Sequence, residues 1–147
     1  YIKSPIEEEK AEISVHFYSK DGTEEEQRNS LIYYENTYLP NTGVLYTSDE
    51  TFNVLTVFDG KVTDILDDEF FGKCIVIEHT STLRTYYYGL DEIEVKVGDE
   101  LTSGAVIGIS KNNEIMNEKK SFLLEVYHNS ELINPETFVG TKVTDYN

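Results

Sequence analysis

The stretch Gly72-Lys73-Cys74-Ile75-Val76-Ile77-Glu78-His79-Thr80-Ser81-Thr82-Leu83-Arg84-Thr85-Tyr86-Tyr87-Tyr88-Gly89-Leu90 decides the fold class. It holds two runs dense in β-branched and aromatic side chains, Cys74–His79 and Leu83–Tyr88, parted by a polar segment. Such side chains suit a pleated, half-buried surface. Period-two alternation in the second run puts Tyr87 on the opposite face from Tyr86 and Tyr88. Outward from this pair the texture repeats. Val54–Val57, Lys61–Leu66, Ile93–Val97, Ala105–Ile109 and Ser121–Tyr127 are further strand candidates among Gly, Asp and Asn turns, at the spacing of a sandwich or barrel. Ser110–Lys120 reads as a polar loop.

Before Pro40 the pattern differs. Ile2–Lys10, with its Glu7-Glu8-Glu9 run, reads as a solvated lead-in. Glu12–Ser19 alternates as a strand with Ile13, Val15 and Phe17 on one face, and Lys20-Asp21-Gly22 signals a turn. Thr23-Glu24-Glu25-Glu26 matches a capping box, and its acid suits the positive end of a helix dipole. Leu31, Tyr34 and Tyr38 fall at i, i+3 and i+7, so one helix is expected over 23–36, ended by Pro40. The expected chain is mainly β with one N-terminal strand and helix added. Residues 1–39 form an extension packed on the same domain, 40–140 the β domain, and 141–147 a C-terminal tail.

The chain has 147 residues, 12 basic and 28 acidic, for a net charge of −16. Residues 1–39 carry 4 basic and 9 acidic groups and residues 40–147 carry 8 and 19, so the acidity is a surface property and not a tail. This charge argues against nucleic acid, whose binding needs a Lys/Arg footprint, and against an anionic membrane surface. The length fits one domain. Hydrophobic content of 39% implies a lean core, and 11 Tyr with no Trp favour strand faces. The lone Cys74 excludes an internal disulfide and a CxxC pair, and its apolar setting reads as a buried small residue. No apolar run approaches the roughly 18 residues of a membrane helix, and no signal-peptide pattern opens the chain. Beginning at Tyr1 without Met, it reads as a trimmed domain whose anchor would lie upstream.

The residues alone offer little chemistry. His16, His79 and His128 form no HxH or HExxH pattern, and a zinc site without Cys needs several such groups to converge. Asp64, Asp67, Asp68 and Glu69 lack the spacing and central Gly of a calcium loop, which favours a solvated strand end. Gly104–Gly108 lacks the spacing of a phosphate cradle.

Taken in order, Asn41-Thr42-Gly43-Val44-Leu45, Asp59-Gly60-Lys61-Val62, Gly72–His79, Thr85–Leu90, Val97-Gly98-Asp99-Glu100-Leu101, Gly104–Gly108, Leu124-Glu125-Val126 and Ile133-Asn134-Pro135 form a series. This series resembles the LytM-type (M23 family) metallopeptidase domain over about residues 41–140. The resemblance implies an antiparallel LytM/M23-like sheet and, in active members, cleavage of peptidoglycan cross-bridges with one zinc. It also implies where the site residues should stand. The HxxxD element, whose His and Asp bind zinc, falls on Asn41 and Leu45. In the closing HxH element the first His is catalytic and falls on Ser121, and the second is the third ligand and falls on Leu123. The catalytic His of a Tyr-x-His-Leu element falls on Gly89. Leu45 and Leu123 have no lone pair for a metal, so the chain is expected to be a non-catalytic pseudo-peptidase with no cofactor.

Within the family, Val15–Asp21, Glu24–Gln27, Tyr34–Tyr38 and Ser110-Lys111-Asn112-Asn113 resemble the stage II sporulation protein Q group of endospore-forming Firmicutes. That resemblance implies an extracytoplasmic domain anchored in the forespore membrane. It also implies a mother-cell partner like stage III sporulation protein AH, and a role in channel assembly during engulfment. Peptidoglycan is a second candidate partner, through a cell-wall-binding or amidase-activating module; nucleic acid is not expected. Strand addition at a sheet edge is the expected docking mode, with Tyr86, Tyr87 and Tyr88 as candidate contacts. A hydrolase with a site rearranged around His79 or His128 is the remaining enzyme alternative.

Overall fold

A computed structural model describes residues 1–34, 37–69, 71–112 and 120–146. Among the described residues ten strands form one antiparallel sheet, and two more form a separate hairpin. In chain order these are β1 (Glu12–Val15), α1 (Glu24–Arg28), β2 (Leu31–Tyr34), β3 (Thr37–Pro40), β4 (Val44–Ser48), β5 (Asn53–Leu55), β6 (Gly60–Asp68) and β7 (Gly72–Glu78). They continue with β8 (Leu83–Ile93), β9 (Glu100–Leu101), β10 (Val106–Asn112), β11 (Lys120–His128), β12 (Glu131–Ile133), α2 (Pro135–Phe138) and a closing 3-10 turn, Val143–Tyr146. The opening stretch is the β7–β8 pair, in register from Cys74↔Tyr88 to Glu78↔Arg84. β8 also pairs with β11, and β11 with β4, which carries β1 at one side.

One face of the sheet carries the main core. Val44, Tyr46, Val62, Ile75, Ile77, Tyr87, Phe122, Leu124 and Val126 pack there with Ile2, Val54, Ile107 and Phe138. Alternation holds in the tyrosine run. Tyr87 is fully buried in this core, where its hydroxyl accepts from the Val57 N–H (3.2 Å) and the Thr85 hydroxyl (2.9 Å). Tyr86 and Tyr88 stand on the other face with their rings stacked 6.1 Å apart.

The N-terminal segment departs from expectation in three ways. The helix over 23–36 is only α1, although its capping box is present: Glu26 N–H donates to Thr23 Oγ1 (3.1 Å) and Thr23 N–H to Glu26 Oε1 (2.8 Å). Leu31–Tyr34 turns instead into a hairpin with Thr37–Pro40, pairing Leu31 with Pro40. Leu31-Ile32-Tyr33-Tyr34 is an unbroken apolar run of strand length that periodicity does not assign to helix or strand, and β-branched and Tyr side chains with a cross-strand partner favour the strand. In β1 a register shift between Ile13 and Val15 breaks the single face: Ile13 and Phe17 pack on the main core, whereas Val15 joins a second cluster. The lead-in is also pinned down. Ile2 is buried, its N–H donates to Thr141 O (2.7 Å), and Leu55 N–H donates to Pro5 O (2.8 Å).

Elsewhere, β8 runs on to Ile93, so Ile93–Val97 is not a strand of its own. The expected polar loop at 110–120 is strand up to Asn112 and again from Lys120; residues 113–119 of it lie outside the described residues.

Candidate functional site

Strand pairing alone brings two of the three expected metal positions together. Leu45 on β4 lies opposite Leu123 on β11, and Val15 on β1 lies opposite Leu45. On the other side, Leu123 faces Tyr88, Tyr88 faces Cys74, and Cys74 faces Leu66. One row, Val15–Leu45–Leu123–Tyr88–Cys74–Leu66, thus crosses six strands on the face away from the main core. Leu45 and Leu123 are each 1% exposed and form a second apolar cluster with Val15 and Ile32, against which Phe71 and Tyr88 pack. Ile32 comes from β2, so the N-terminal hairpin covers the place where a ligand would have to approach.

Asn41 closes this arrangement through its amide. It is 2% exposed, its Nδ2 donates to Val15 O (3.1 Å), and its Oδ1 accepts from Gly43 N–H (3.1 Å). Its backbone N–H donates to Ser30 O (2.9 Å), and its carbonyl accepts from Tyr18 N–H (3.0 Å). A buried amide must satisfy such groups, and here they tie the extension to the start of β4. Gly43 allows that approach, since a Cβ there would stand 2.1 Å from Leu124 O. Ser121 lies two residues before Leu123 on the same face and is fully buried, with no hydrogen-bond partner for its hydroxyl among the described residues. Gly89 follows Tyr88 at φ +90°, a left-handed conformation that suits glycine.

The next row holds the only acid buried on this face among the described residues, Glu125, which is 7% exposed. It accepts from the Thr42 hydroxyl and from Tyr88 OH (3.0 Å), and it neighbours Tyr127. Burial pushes its carboxyl above the ordinary value, more than the Thr42 and Tyr88 bonds pull it down. Burial and the Glu125 charge also raise the Tyr88 hydroxyl. Glu125 stands in the Leu124-Glu125-Val126 element, but its burial was not legible there. The available signal was a charge alternating with Leu123 inside an otherwise apolar strand.

The histidines do not gather. His79 sits just past β7, where Nδ1–H donates to Asp59 O (2.8 Å) and Nε2 lies 2.8 Å from the Thr85 hydroxyl, on the face of the main core. Burial holds its pKa below the ordinary value. His16 pairs with Glu136 at 2.9 Å, and His128 packs edge-on against Tyr146, 5.4 Å between centroids. Asn129 and Ser130, at φ +52° and +66°, form the tight turn from β11 to β12. Among the described residues no three His, Cys, Asp or Glu side chains stand close enough to hold a metal. No described helix is long and apolar enough to cross a membrane.

Of the three candidate tyrosine contacts, Tyr87 is enclosed in the core, which removes it as a surface contact. Tyr86 meets Tyr127 at 5.1 Å, and both line a groove of about 600 Å³ with Ser81, Thr82, Arg84, Asn129 and Ser130.

The family model described as peptidase family M23 matches residues 39–135. No curated protein sequence matches the chain. Among solved structures, the SpoIIQ chain of the "SpoIIQ-SpoIIIAH pore forming complex" is 26% identical with a TM-score of 0.89, the match covering 98% of this chain and 94% of that one. A second structure of the SpoIIIAH and SpoIIQ complex is also 26% identical, at a TM-score of 0.87, covering 95% of this chain and 100% of that one. The catalytic domain of the M23 protein EnpA from Enterococcus faecalis shares the fold, with a TM-score of 0.68 at 17% identity over 93% of this chain and 98% of that one.

Proposed function

The chain belongs to peptidase family M23, and from that membership we propose that it is a non-catalytic, SpoIIQ-type interaction domain. Its partner is a SpoIIIAH-type membrane protein. It stands on the extracytoplasmic side of the forespore membrane and helps assemble a channel to the mother cell during engulfment. The likeness to SpoIIQ in complex with SpoIIIAH supports the partner.

One observation carries the loss of catalysis. Zinc ligands must converge, and Asn41, Leu45 and Leu123 do converge around Val15, as an amide and two leucines. None of the three side chains is an imidazole, thiolate or carboxylate, and the amide is already spent on the backbone. No bound water could be activated there.

Metal analysis of protein purified without chelator tests the catalytic half, with zinc expected far below one per chain; stoichiometric zinc overturns it. Co-purification with the SpoIIIAH-type protein of the same organism tests the other half, and absence of binding overturns that. A second reading, a cell-wall-binding module, draws on the groove beside Tyr86 and Tyr127, where aromatic rings meet polar groups. Retention on purified cell wall in a pull-down would favour it.

A further inference from the structure

We infer that the outward face of the β2–β3 hairpin is a self-association surface, on which a second copy of this chain seats the same face about a two-fold axis. The inference does not depend on which partner the chain meets. Register puts Leu31 opposite Pro40 and Tyr33 opposite Tyr38, so these four side chains share one face. Ile32, opposite Leu39, points the other way into the cluster with Leu45 and Leu123. The inner face is therefore occupied, while the outer one is apolar and open to water. Tyr33 is 50% and Tyr38 64% exposed, Pro40 is exposed, and the two rings meet at 4.8 Å, tilted by 55°. Among the described residues neither strand pairs with the ten-stranded sheet. Large apolar side chains gathered on an exposed face mark a contact surface.

Charge names the occupant. The chain carries −16 and 27% of its residues are charged, yet the eight paired residues Leu31–Tyr34 and Thr37–Pro40 include no Asp, Glu, Lys or Arg. Glu35, in the segment joining them, lies outside the described residues. Two acidic copies repel over most of their surfaces, and a face without carboxylates lets them meet without setting like charges together. A partner selected by opposite charge gains nothing from this face, and an anionic membrane is repelled by the rest of the chain. Two-fold pairing is self-complementary: the Tyr33–Tyr38 pair of one copy meets the same pair of the other, ring on ring, a contact worth more than its area alone.

Area sets the strength. Four side chains of this size offer about 300–400 Å² per copy, against about 800 Å² per partner in a standard interface. Self-association is therefore weak in free solution, with a dissociation constant on the order of 0.1–1 mM. It takes effect where copies are held side by side at an effective concentration in the millimolar range.

Sedimentation equilibrium of the whole chain, from low micromolar to about 1 mM, tests the inference. The average mass should rise from one chain toward two, and more steeply as salt is raised from about 0.05 M to 0.5 M, because screening removes the repulsion between acidic copies. Tyr33→Glu and Tyr38→Glu change exposed side chains, so their melting curves should match the parent. Each should weaken dimerisation about tenfold or more. Val97→Glu alters an exposed apolar side chain elsewhere and should reduce dimerisation clearly less than either. A chain that stays monomeric at about 1 mM at every salt concentration overturns the inference. So does a dimer that both tyrosine variants leave intact, or one that Val97→Glu disrupts equally. Protection of the hairpin amides from hydrogen exchange by the SpoIIIAH-type protein alone, with none from raising the chain's own concentration, assigns the face to a different protein and also overturns it.

Discussion

At the scale of single residues, the candidate site is built of apolar side chains that pack on each other. Leu45 and Leu123 face each other across β4 and β11 and are sealed by Val15 and Ile32. Leu123→His should destabilise the chain by about 2–4 kcal/mol, because an imidazole there is buried without a hydrogen-bond partner. Added zinc should leave the denaturation midpoint of that variant unchanged, since Leu45 and Asn41 still supply no ligand. Glu125 makes a pH prediction. Its folded pKa lies above the ordinary 4.5, so the native state holds the proton more tightly than the unfolded state. The favourable contribution is therefore complete below about pH 4.5 and is lost as pH rises through the raised folded value. Glu125→Gln offers its amide oxygen to one of the Thr42 and Tyr88 hydroxyls and an N–H to the other, and it does not titrate. Its denaturant midpoint, measured against the parent across this range, should gain on the parent as pH rises.

At the scale of elements, the N-terminal segment is a cover built from three short pieces. β1 lies along β4, α1 turns the chain, and the β2–β3 hairpin lays Ile32 over the leucine pair. Ile32→Ala should cost about 2–4 kcal/mol in a denaturant melt, as expected for truncating a buried aliphatic side chain into a cavity. A loss near zero would show that the hairpin is not packed on the cluster. The short α1 shows what local pattern can and cannot fix. The capping box at Thr23–Glu26 is a contact between residues three apart, and it was legible and is present. The helix end was not legible, because Leu31, Tyr34 and Tyr38 satisfy a period near 3.6 while Leu31-Ile32-Tyr33-Tyr34 is also an unbroken apolar run of strand length. What separates them is the pairing of Leu31–Tyr34 with Thr37–Pro40 and the cluster beneath Ile32, and both are tertiary facts.

At the scale of the whole molecule, one broad sheet separates two apolar regions, a main core on one face and the smaller cluster on the other. Cys74 lies in the row that crosses the second face, 1% exposed, and burial pushes its thiol up to about 12. At pH 8 only about one thiol in ten thousand is then ionised, and the reagent must still reach it. Labelling by a thiol-disulfide reagent should be slow in the native chain and should follow global unfolding across a denaturant series. Fast labelling in the absence of denaturant would mean that the cover over this face opens locally.

The sequence by itself determined that the chain is mainly β and that Tyr87 opposes Tyr86 and Tyr88, and its ordered motif series resembles a family whose metal positions would fall on Asn41, Leu45 and Leu123. These are properties of spacing and residue type, which the chain carries locally. Only the tertiary structure decided that Leu45 and Leu123 pair while Asn41 bonds to Val15, that Val15 and Ile32 seal the two leucines, that Ile2 is buried, and that the row ends exposed at Leu66. The reason is distance along the chain. Leu45 and Leu123 are brought together by strand register, and register depends on the whole sheet pairing at once. A bulge between Ile13 and Val15 then sends two neighbours on one strand to opposite faces, a choice made by the surfaces waiting on each side and not by the alternation itself.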